Sequence, residues 1–297
     1  MSTRPITVVI PALNAADTIG RQIDALATQQ DAPPFRIILV DNGSTDDTAT
    51  VAARHADGRI QMDVVVEHRR GINNARNAGI SVAPDGVILL CDADDVVAPT
   101  WVGRLAAAVD EGHWGAGALD YLTLNSPETV RIWGAPPLGV PTESTPYIDR
   151  TFGCCCGFLR SMWQAIDGFD PHLSGPTDEN EFFMRAHATG FRPRIVPDAV
   201  IAYRLRPGIE GWRRMRFVSG RCQGIAASCA GAAHLRPLCA PLPGTLLLLK
   251  VLLSAPKYAW SASSRHQWFG GVLRQWGRLV GWMSPTGRAI RAAARQR

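Results

Sequence analysis

Leu89-Leu90-Cys91-Asp92-Ala93-Asp94-Asp95 is the stretch on which the fold turns. An apolar run delivers three carboxylates within four residues. The segment Gly86 to Cys91 reads as a buried strand, so the acids sit at its carboxyl end. Ligands of open α/β sheets gather at that edge. Carboxylates crowded there repel one another unless something positive sits between them. The economical candidate is a divalent metal carrying a diphosphate, because hard cations such as Mg²⁺ take oxygen ligands and share them with substrate phosphates. Taken alone, Asp92 to Asp95 also fits a solvated turn that caps a helix starting near Pro99.

Working outward, Ile6 to Ile10 is a β-branched run that ends in Pro11-Ala12-Leu13-Asn14. Arg36 to Val40 is a second, followed by Asp41-Asn42-Gly43-Ser44-Thr45-Asp46-Asp47-Thr48. Between them Ile19, Ile23 and Leu26 recur at helical spacing. Ser44 or Thr45 is expected to cap the next helix, with Asp46 and Asp47 in its first turn, where the helix dipole favours acids. Strand, helix, strand, helix opens a parallel α/β unit. No G-x-G-x-x-G follows the first strand and no Walker lysine loop occurs. A nucleotide would therefore be held by carboxylates, metal and backbone groups.

Four motifs now stand in order: Val9-Ile10-Pro11-Ala12-Leu13-Asn14, Val40-Asp41-Asn42-Gly43-Ser44-Thr45-Asp46, Gly71-Ile72-Asn73-Asn74-Ala75-Arg76-Asn77-Ala78-Gly79, and Asp92-Ala93-Asp94. On these, residues 6 to 95 resemble the nucleotide-binding half of a family 2 glycosyltransferase of the GT-A fold. The resemblance implies nucleotide contacts from Pro11, Ala12, Asn14, Asp41, Asn42, Arg76, Asp92, Ala93 and Asp94. It implies that Asp92 and Asp94 position ribose and a diphosphate-bound Mn²⁺ or Mg²⁺, with Asp94 as the direct ligand and Asp92 supporting it. The family usually shows Asp-Asp where this chain has Asp41-Asn42. Read singly, Asp41 to Thr48 is also a turn and cap, Arg76 a surface helix residue, and Asn73, Asn74 and Asn77 caps or turn formers. The joint pattern argues against all of these holding at once.

The second half must supply the acceptor site and a base. Asp167-Gly168-Phe169-Asp170 leads toward Asp178-Glu179-Asn180-Glu181-Phe182-Phe183, with Arg185, Ala186 and Gly190 beyond. Phe182, Phe183 and Ala186 are expected to face the core of a helix that Asp178 and Glu179 begin. The segment resembles the family's Gly-Phe-Asp…Glu-Asp…Arg…Gly. The family's catalytic base then falls on Glu179, beside Asp178, and glutamate replaces the commoner aspartate. A sugar hydroxyl is a poor nucleophile near neutral pH, and a positioned carboxylate can take its proton as it attacks. A bound cation would stabilise the departing nucleoside diphosphate. The plain alternative is a charge pair at a helix N-terminus. Many relatives carry a metal-binding histidine where this chain has Tyr203, followed by Arg204 and Arg206. Alternating with Leu205, the two arginines would share a face of a strand. Tyr203, Arg204 and Arg206 are candidates for diphosphate or acceptor contacts; a solvated basic edge is the alternative.

Charge divides the chain. Residues 1 to 204 carry 16 Lys/Arg and 25 Asp/Glu, a net of about −9. Residues 205 to 297 carry 15 Lys/Arg against Glu210 alone, a net of about +14. Five of the nine tryptophans lie there: Trp212, Trp260, Trp268, Trp276 and Trp282. From Trp268 to Met283 apolar residues keep a helical period, with Arg274, Gln275 and Arg278 opposite, as suits a membrane interface. A helical cap on the catalytic domain and a dimer surface are the alternatives. Nucleic-acid binding ranks low, since no such module accompanies the charge. The run Leu246 to Leu253, interrupted by Lys250, is too short to span a bilayer. Met-Ser-Thr-Arg-Pro leads straight into a strand with no secretory signal. The seven cysteines include no C-x-x-C pair, which argues against structural zinc, and their odd count without a secretory signal argues for reduced cytosolic thiols. Cys154-Cys155-Cys156 falls in Thr151 to Leu159, read as a strand before a helix. Residues 112 to 150, rich in Gly and Pro, read as a loop-bearing insert.

The expected architecture is an α/β GT-A domain over residues 1–205, a mainly parallel Rossmann-like sheet flanked by helices. Its nucleotide-binding half spans about 1–111 and its acceptor half about 112–205. A basic, mainly helical extension occupies 206–297. The implied activity is inverting transfer from a nucleotide diphosphate sugar to a hydroxyl of a cell-surface glycan, lipid-linked intermediate or glycosylated metabolite. The expected location is cytoplasmic, peripheral on the inner face of the membrane. The rivals are a catalytically silent nucleotide-sugar-binding or scaffold protein, against which Asp92, Asp94 and Glu179 argue, and a nucleotidyltransferase, which would open with a glycine-rich loop.

Overall fold

The computed structural model describes residues 4–141, 151–173, 178–228, 236–258 and 260–294; the side chains of residues 178, 236, 237, 262, 263, 293 and 294 are not described. The first elements are β1 (Ile6–Ala12), α1 (Ile19–Ala27), β2 (Phe35–Asp41), α2 (Thr48–Ala56), β3 (Met62–Val66), α3 (Ile72–Val82), β4 (Val87–Leu90), β5 (Val96–Val97) and α4 (Trp101–Ala107). Then come β6 (His113–Asp120), α5 (Pro127–Trp133), β7 (Leu138–Gly139), β8 (Cys156–Leu159), α6 (Arg160–Ala165), α7 (Asp178–Ala188) and β9 (Arg192–Ala202). Helices α8 (Gly208–Ala226), α9 (Arg236–Cys239), α10 (Pro241–Leu253), α11 (Ala262–Met283) and α12 (Pro285–Ala294) follow. Two compact units result. One holds Met1–Pro171 with Phe182–Leu205, the other His172–Glu181 with Arg206–Arg297.

The first unit is built on one sheet, in the order β3-β2-β1-β4-β8-β6-β9-β5, with β7 on β6. β1, β2, β3 and β4 pair in parallel, β8 enters antiparallel to β4 and β6, and β9 runs parallel to β6. Alternation along the strands sorts side chains to two faces. Val8, Ile10, Leu39 and Leu89 join Ile19, Ile23 and Leu26 of α1 on one face. Val9, Ile38, Val40, Ile88 and Leu90 join Ile80 of α3 and Phe182, Phe183 and Ala186 of α7 on the other. Covering both faces explains the continuous apolar runs read from the sequence. α3 lies so close that a Cβ on Gly79 would stand 2.6 Å from Val9 Cγ1 and 2.7 Å from Val40 Cγ2. The final glycine of the Gly71-to-Gly79 motif is therefore a packing residue.

Several local expectations are corrected. β4 is shorter than Gly86 to Cys91, because Cys91 already turns toward the acids. α2 starts at Thr48 behind Asp47, not behind Ser44 or Thr45. Asp46 instead folds back to accept from the Thr48 N–H at 3.1 Å. Residues 112 to 150 are more than a loop-bearing insert: they begin with β6, whose residues Trp114 to Leu119 are buried within the sheet. Positions 142–150 lie outside the described residues. β8 starts at Cys156, after a turn that holds Cys154 and Cys155. Arg204 and Arg206 do not share a strand face, because β9 ends at Ala202.

In the second unit α8 and α11 meet through glycine. A Cβ on Gly220 or Gly224 would stand 2.0 or 2.1 Å from the carbonyl oxygens of Arg274 and Arg278. On Gly277 or Gly281 it would stand 2.2 or 2.0 Å from those of Phe217 and Arg221. The two Gly-x-x-x-Gly pairs thus put backbone against backbone. Trp212 stacks on His266 with centroids 3.7 Å apart. Buried Gln275 donates to Leu238 O and Gly244 O at 2.7 and 3.0 Å, tying α11 to α9 and α10. Among the described residues no helix is long and apolar enough to cross a membrane.

Candidate active site

The carboxyl ends of β1, β2 and β4 lie side by side, and the loops leaving them interlock. Asn14 takes a left-handed backbone (φ 51°). Its N–H donates to Ser44 Oγ at 3.0 Å, and its Oδ1 accepts from the Thr45 N–H at 2.8 Å. Thr48 Oγ1 accepts from the Ala15 N–H at 2.8 Å, and Asp46 from the Ala16 N–H at 3.1 Å. Asp41, half-buried at the end of β2, accepts from the Ser44 N–H at 2.8 Å, while Pro11 and Ala12 lie buried at the end of β1. The Pro11–Asn14 turn and the Asp41–Thr48 loop therefore form one rigid edge. Such pairing is more than the isolated turn and cap considered above.

Asn42 shows why aspartate is absent from this position. Its side chain is buried, and its Nδ2 donates to Glu67 O and Arg69 O, both at 2.8 Å. Its Oδ1 accepts from the Gly71 N–H at 2.8 Å, where φ of 128° requires glycine. An ionised aspartate only accepts and could not face two carbonyls. The same loop is braced by Arg69, whose side-chain bonds draw the Glu67 carboxyl down to about 2.

Arg76 is a buried residue of α3, not a surface one. Its guanidinium donates to Asn73 Oδ1 at 3.2 Å, lies 4.0 Å from Asp92 Oδ1 and covers the Phe169 ring at 5.4 Å. Asn73 in turn donates to Asp170 O at 3.0 Å. Asn77 donates to Phe169 O at 2.7 Å and accepts from the Phe169 N–H at 2.9 Å. Arg185 donates to Gly168 O at 2.7 Å. These asparagines do not cap α3; they pin the 168–170 loop to it.

The acids themselves divide by environment. Asp92 is half-buried, Ala93 buried, Asp94 exposed and Asp95 buried. Asp95 accepts from the Arg204 N–H at 2.8 Å, and Arg204 Nε donates to Asp94 O at 2.9 Å. Burial, then the charges of Asp92 and Asp94, push the Asp95 carboxyl well above its ordinary range. Tyr203 packs edge-on against Tyr121, with centroids 5.8 Å apart. Burial first, then the charged groups around it, push its phenol well up, so it stays protonated. Donor atoms of Asp92, Asp95 and Cys154 lie within 4.8 Å of one another. Two carboxylate oxygens suit Mg²⁺ or Mn²⁺, and a thiol adds a softer donor. Excess negative charge in a dry corner likewise favours a cation, so the residues present fit one. Asp94 is outside that trio and reaches the same turn from the exposed side.

Glu179 is the second residue of α7 and half-buried; the Asp178 side chain lies outside those described. Glu179 and Arg206 both belong to the second unit. Two supporting residues escaped the sequence reading. Gln22 of α1 is fully buried, donates to Asp92 O at 3.2 Å and accepts from the Val97 N–H at 3.0 Å, bracing both ends of the acidic turn. Asn125 donates to Tyr203 O at 2.7 Å and accepts from the Leu205 N–H at 2.8 Å. Only Gln22 left a signal, as a polar residue on the apolar face of Ile19, Ile23 and Leu26.

This fold is that of GT-A glycosyltransferases. It resembles the mannosyltransferase PcManGT from Pyrobaculum calidifontis, solved with GDP-Man and Mn²⁺, at TM-score 0.58 and 20% identity over 93% of this chain and 88% of that one. The model of glycosyl transferase family 2 matches residues 7–162, and the chain belongs to that family. An uncharacterized glycosyltransferase of Mycobacterium tuberculosis is 37% identical over 112 residues, 38% of this chain and 47% of the relative. The succinoglycan biosynthesis protein ExoU of Rhizobium meliloti is 36% identical over 110 residues, 37% of this chain and 31% of the relative. The chain thus spans less than half the length of these relatives.

Asn42→Asp should strand the buried Glu67 carbonyl and the part-buried Arg69 carbonyl and lower stability by about 1–3 kcal/mol in urea denaturation. Asp95→Asn keeps an acceptor for the Arg204 N–H while removing a buried charge. In EDTA its melting midpoint should rise by a few degrees, and the further rise on adding Mn²⁺ should shrink.

Proposed function

We propose that this chain transfers a sugar, with inversion, from a nucleoside diphosphate sugar to a hydroxyl acceptor. The observation that carries the reading is the meeting of three features at one sheet edge: the interlocked Asn14 and Asp41 loops, buried Arg76, and the Asp92–Asp95 turn. Pro11, Ala12, Asn14 and Asp41 would hold base and ribose, with Asn42 setting the loop that carries Asp41. Arg76 and Arg204 would fix the turn that presents Asp92, Ala93 and Asp94 to the diphosphate. Asp94 and Asp92 would hold Mn²⁺ or Mg²⁺, with Asp95 and Cys154 behind them. When bound, the cation supplies positive charge beside the leaving diphosphate. Tyr203, which takes the place of the family's histidine, would donate its phenolic O–H.

Glu179, with Asp178 before it, would take the proton of the acceptor hydroxyl as that oxygen attacks the anomeric carbon. The bond from that carbon to the diphosphate breaks on the opposite face, so one displacement inverts the centre. Arg206 would serve an anionic part of the donor or acceptor. The acceptor class proposed is a cell-surface glycan, a lipid-linked intermediate or a glycosylated metabolite. The location proposed with it is the cytoplasm, at the inner face of the membrane.

Thermal-shift titration with UDP, GDP, CDP and dTDP sugars, with and without Mn²⁺, tests the donor site. A ligand at about 100 times its Kd adds about 2.7 kcal/mol of stability. Asp94→Asn should weaken metal-dependent donor binding and leave the fold intact; unchanged affinity at saturating Mn²⁺ would sink its assignment. Glu179→Gln should cut turnover by about 10²–10⁴-fold while donor binding survives. If Asp178→Asn has that effect instead, the base is the neighbouring residue. A chain that binds donor but transfers to no acceptor, as wild type, is a binding protein.

A further inference from the structure

α10 is apolar on both sides. Gly244 is buried and Leu247, Leu248 and Val251 are half-buried, forming the side toward its own unit. The opposite side carries Leu242, Leu246, Leu249 and Leu253, which are 74%, 58%, 48% and 81% exposed. At about 100° per residue these four fall within about 60° of arc. Leu252 extends the strip along one flank, and Lys250 stands on the other. Just beyond the helix, Tyr258 and Trp260 are exposed, Trp260 by 91%. A helix apolar all round belongs in an apolar surrounding. A contiguous exposed strip of leucine marks a surface that is covered in use.

The charge around the strip selects what covers it. From residue 211 to the end of the chain there is no Asp or Glu, and there are 14 Lys/Arg. Lys250, Lys257 and Arg265, near the strip in sequence, are exposed. A second copy of the same surface would bring like charges together. An anionic bilayer answers both features: lipid tails take the leucines, headgroups take the cations, and tryptophan and tyrosine settle at the boundary. Helix α11, the amphipathic stretch expected to meet lipid, is engaged within its own unit on one side, while Phe269, Trp276 and Met283 are 37%, 52% and 46% exposed. Leu279 is buried, and the Trp268 indole donates to Val251 O at 2.7 Å.

We infer that the Leu242–Leu246–Leu249–Leu253 face of α10, with Trp260, is the surface by which the chain lies on an anionic membrane. This rests on the membrane location proposed above and names the element responsible. The insertion is shallow, with the helix axis in the plane of the headgroups.

The test uses the full chain with vesicles of phosphatidylcholine alone or with phosphatidylglycerol. Wild type should co-sediment with the anionic vesicles and be partly released by high salt, since each basic residue near the surface contributes about fivefold in partition and salt screens it. Leu246→Ser/Leu249→Ser should lose partition by tenfold or more, while Phe269→Ser/Trp276→Ser on α11 should change it little. Brominated lipid should quench wild-type fluorescence more than that of Trp260→Phe. Donor binding by the serine variants, measured in solution, reports that they are folded. Binding by wild type that survives Leu246→Ser/Leu249→Ser overturns the α10 face and leaves the membrane location standing. No binding by wild type overturns both. A lipid-free dimer, made monomeric by the same pair of substitutions, assigns the face to a second copy and overturns the inference.

Discussion

Everything at the candidate site depends on keeping three carboxylates together at the end of β4. Asp95 is buried, Asp92 half-buried, and each raises the electrostatic cost of the other. Arg76, 4.0 Å from Asp92, supplies a compensating charge. At an effective dielectric of 20 a unit pair at that separation gains on the order of 4 kcal/mol before desolvation is counted. The Arg204 N–H donates to Asp95, and Gln22 holds the backbone at both ends of the turn. A turn held this way is a poor resting place for negative charge and a good receptor for a cation. The local instability of the site and its proposed chemistry have the same origin.

The loops around that turn are fixed largely by amide side chains bonded to backbone, beside the ion pair of Glu67 and Arg69. Asn14, Asn42, Asn73, Asn77 and Asn125 each join segments distant in sequence. An amide donates and accepts at once, so it can satisfy a carbonyl and an N–H without adding charge. Near a cluster of carboxylates that neutrality matters, because further anions would deepen the repulsion that Arg76 offsets.

The legible part of the chain was the part governed by local pattern. The runs Ile6–Ile10 and Arg36–Val40 and the spacing of Ile19, Ile23 and Leu26 carried their elements into the structure almost unchanged. Phe182, Phe183 and Ala186 turned inward at helical spacing, as read. β6 was hidden because His113 to Asp120 contains two glycines and two alanines and lacks the β-branched signature. Small residues are needed there: a Cβ on Gly117 would stand 2.5 Å from Cys155 Sγ. The roles of Asn42 and Asn77 were also invisible, since their partners lie 25 and 92 residues away. A motif shows that such residues belong together, and the structure shows how several of them hold the loops.

The glycine contact between α8 and α11 has a mechanical consequence. With Gly220, Gly224, Gly277 and Gly281 each facing a carbonyl of the other helix, the two backbones mesh like the teeth of a rack. Sliding by one residue would drive Arg221 or Arg278 into a gap that admits no Cβ. The next register that fits is a whole turn away, about 5–6 Å along the axis. The pair therefore behaves as a strut of fixed length. Register along the pair is thereby set by backbone contact and not by the side chains that surround it.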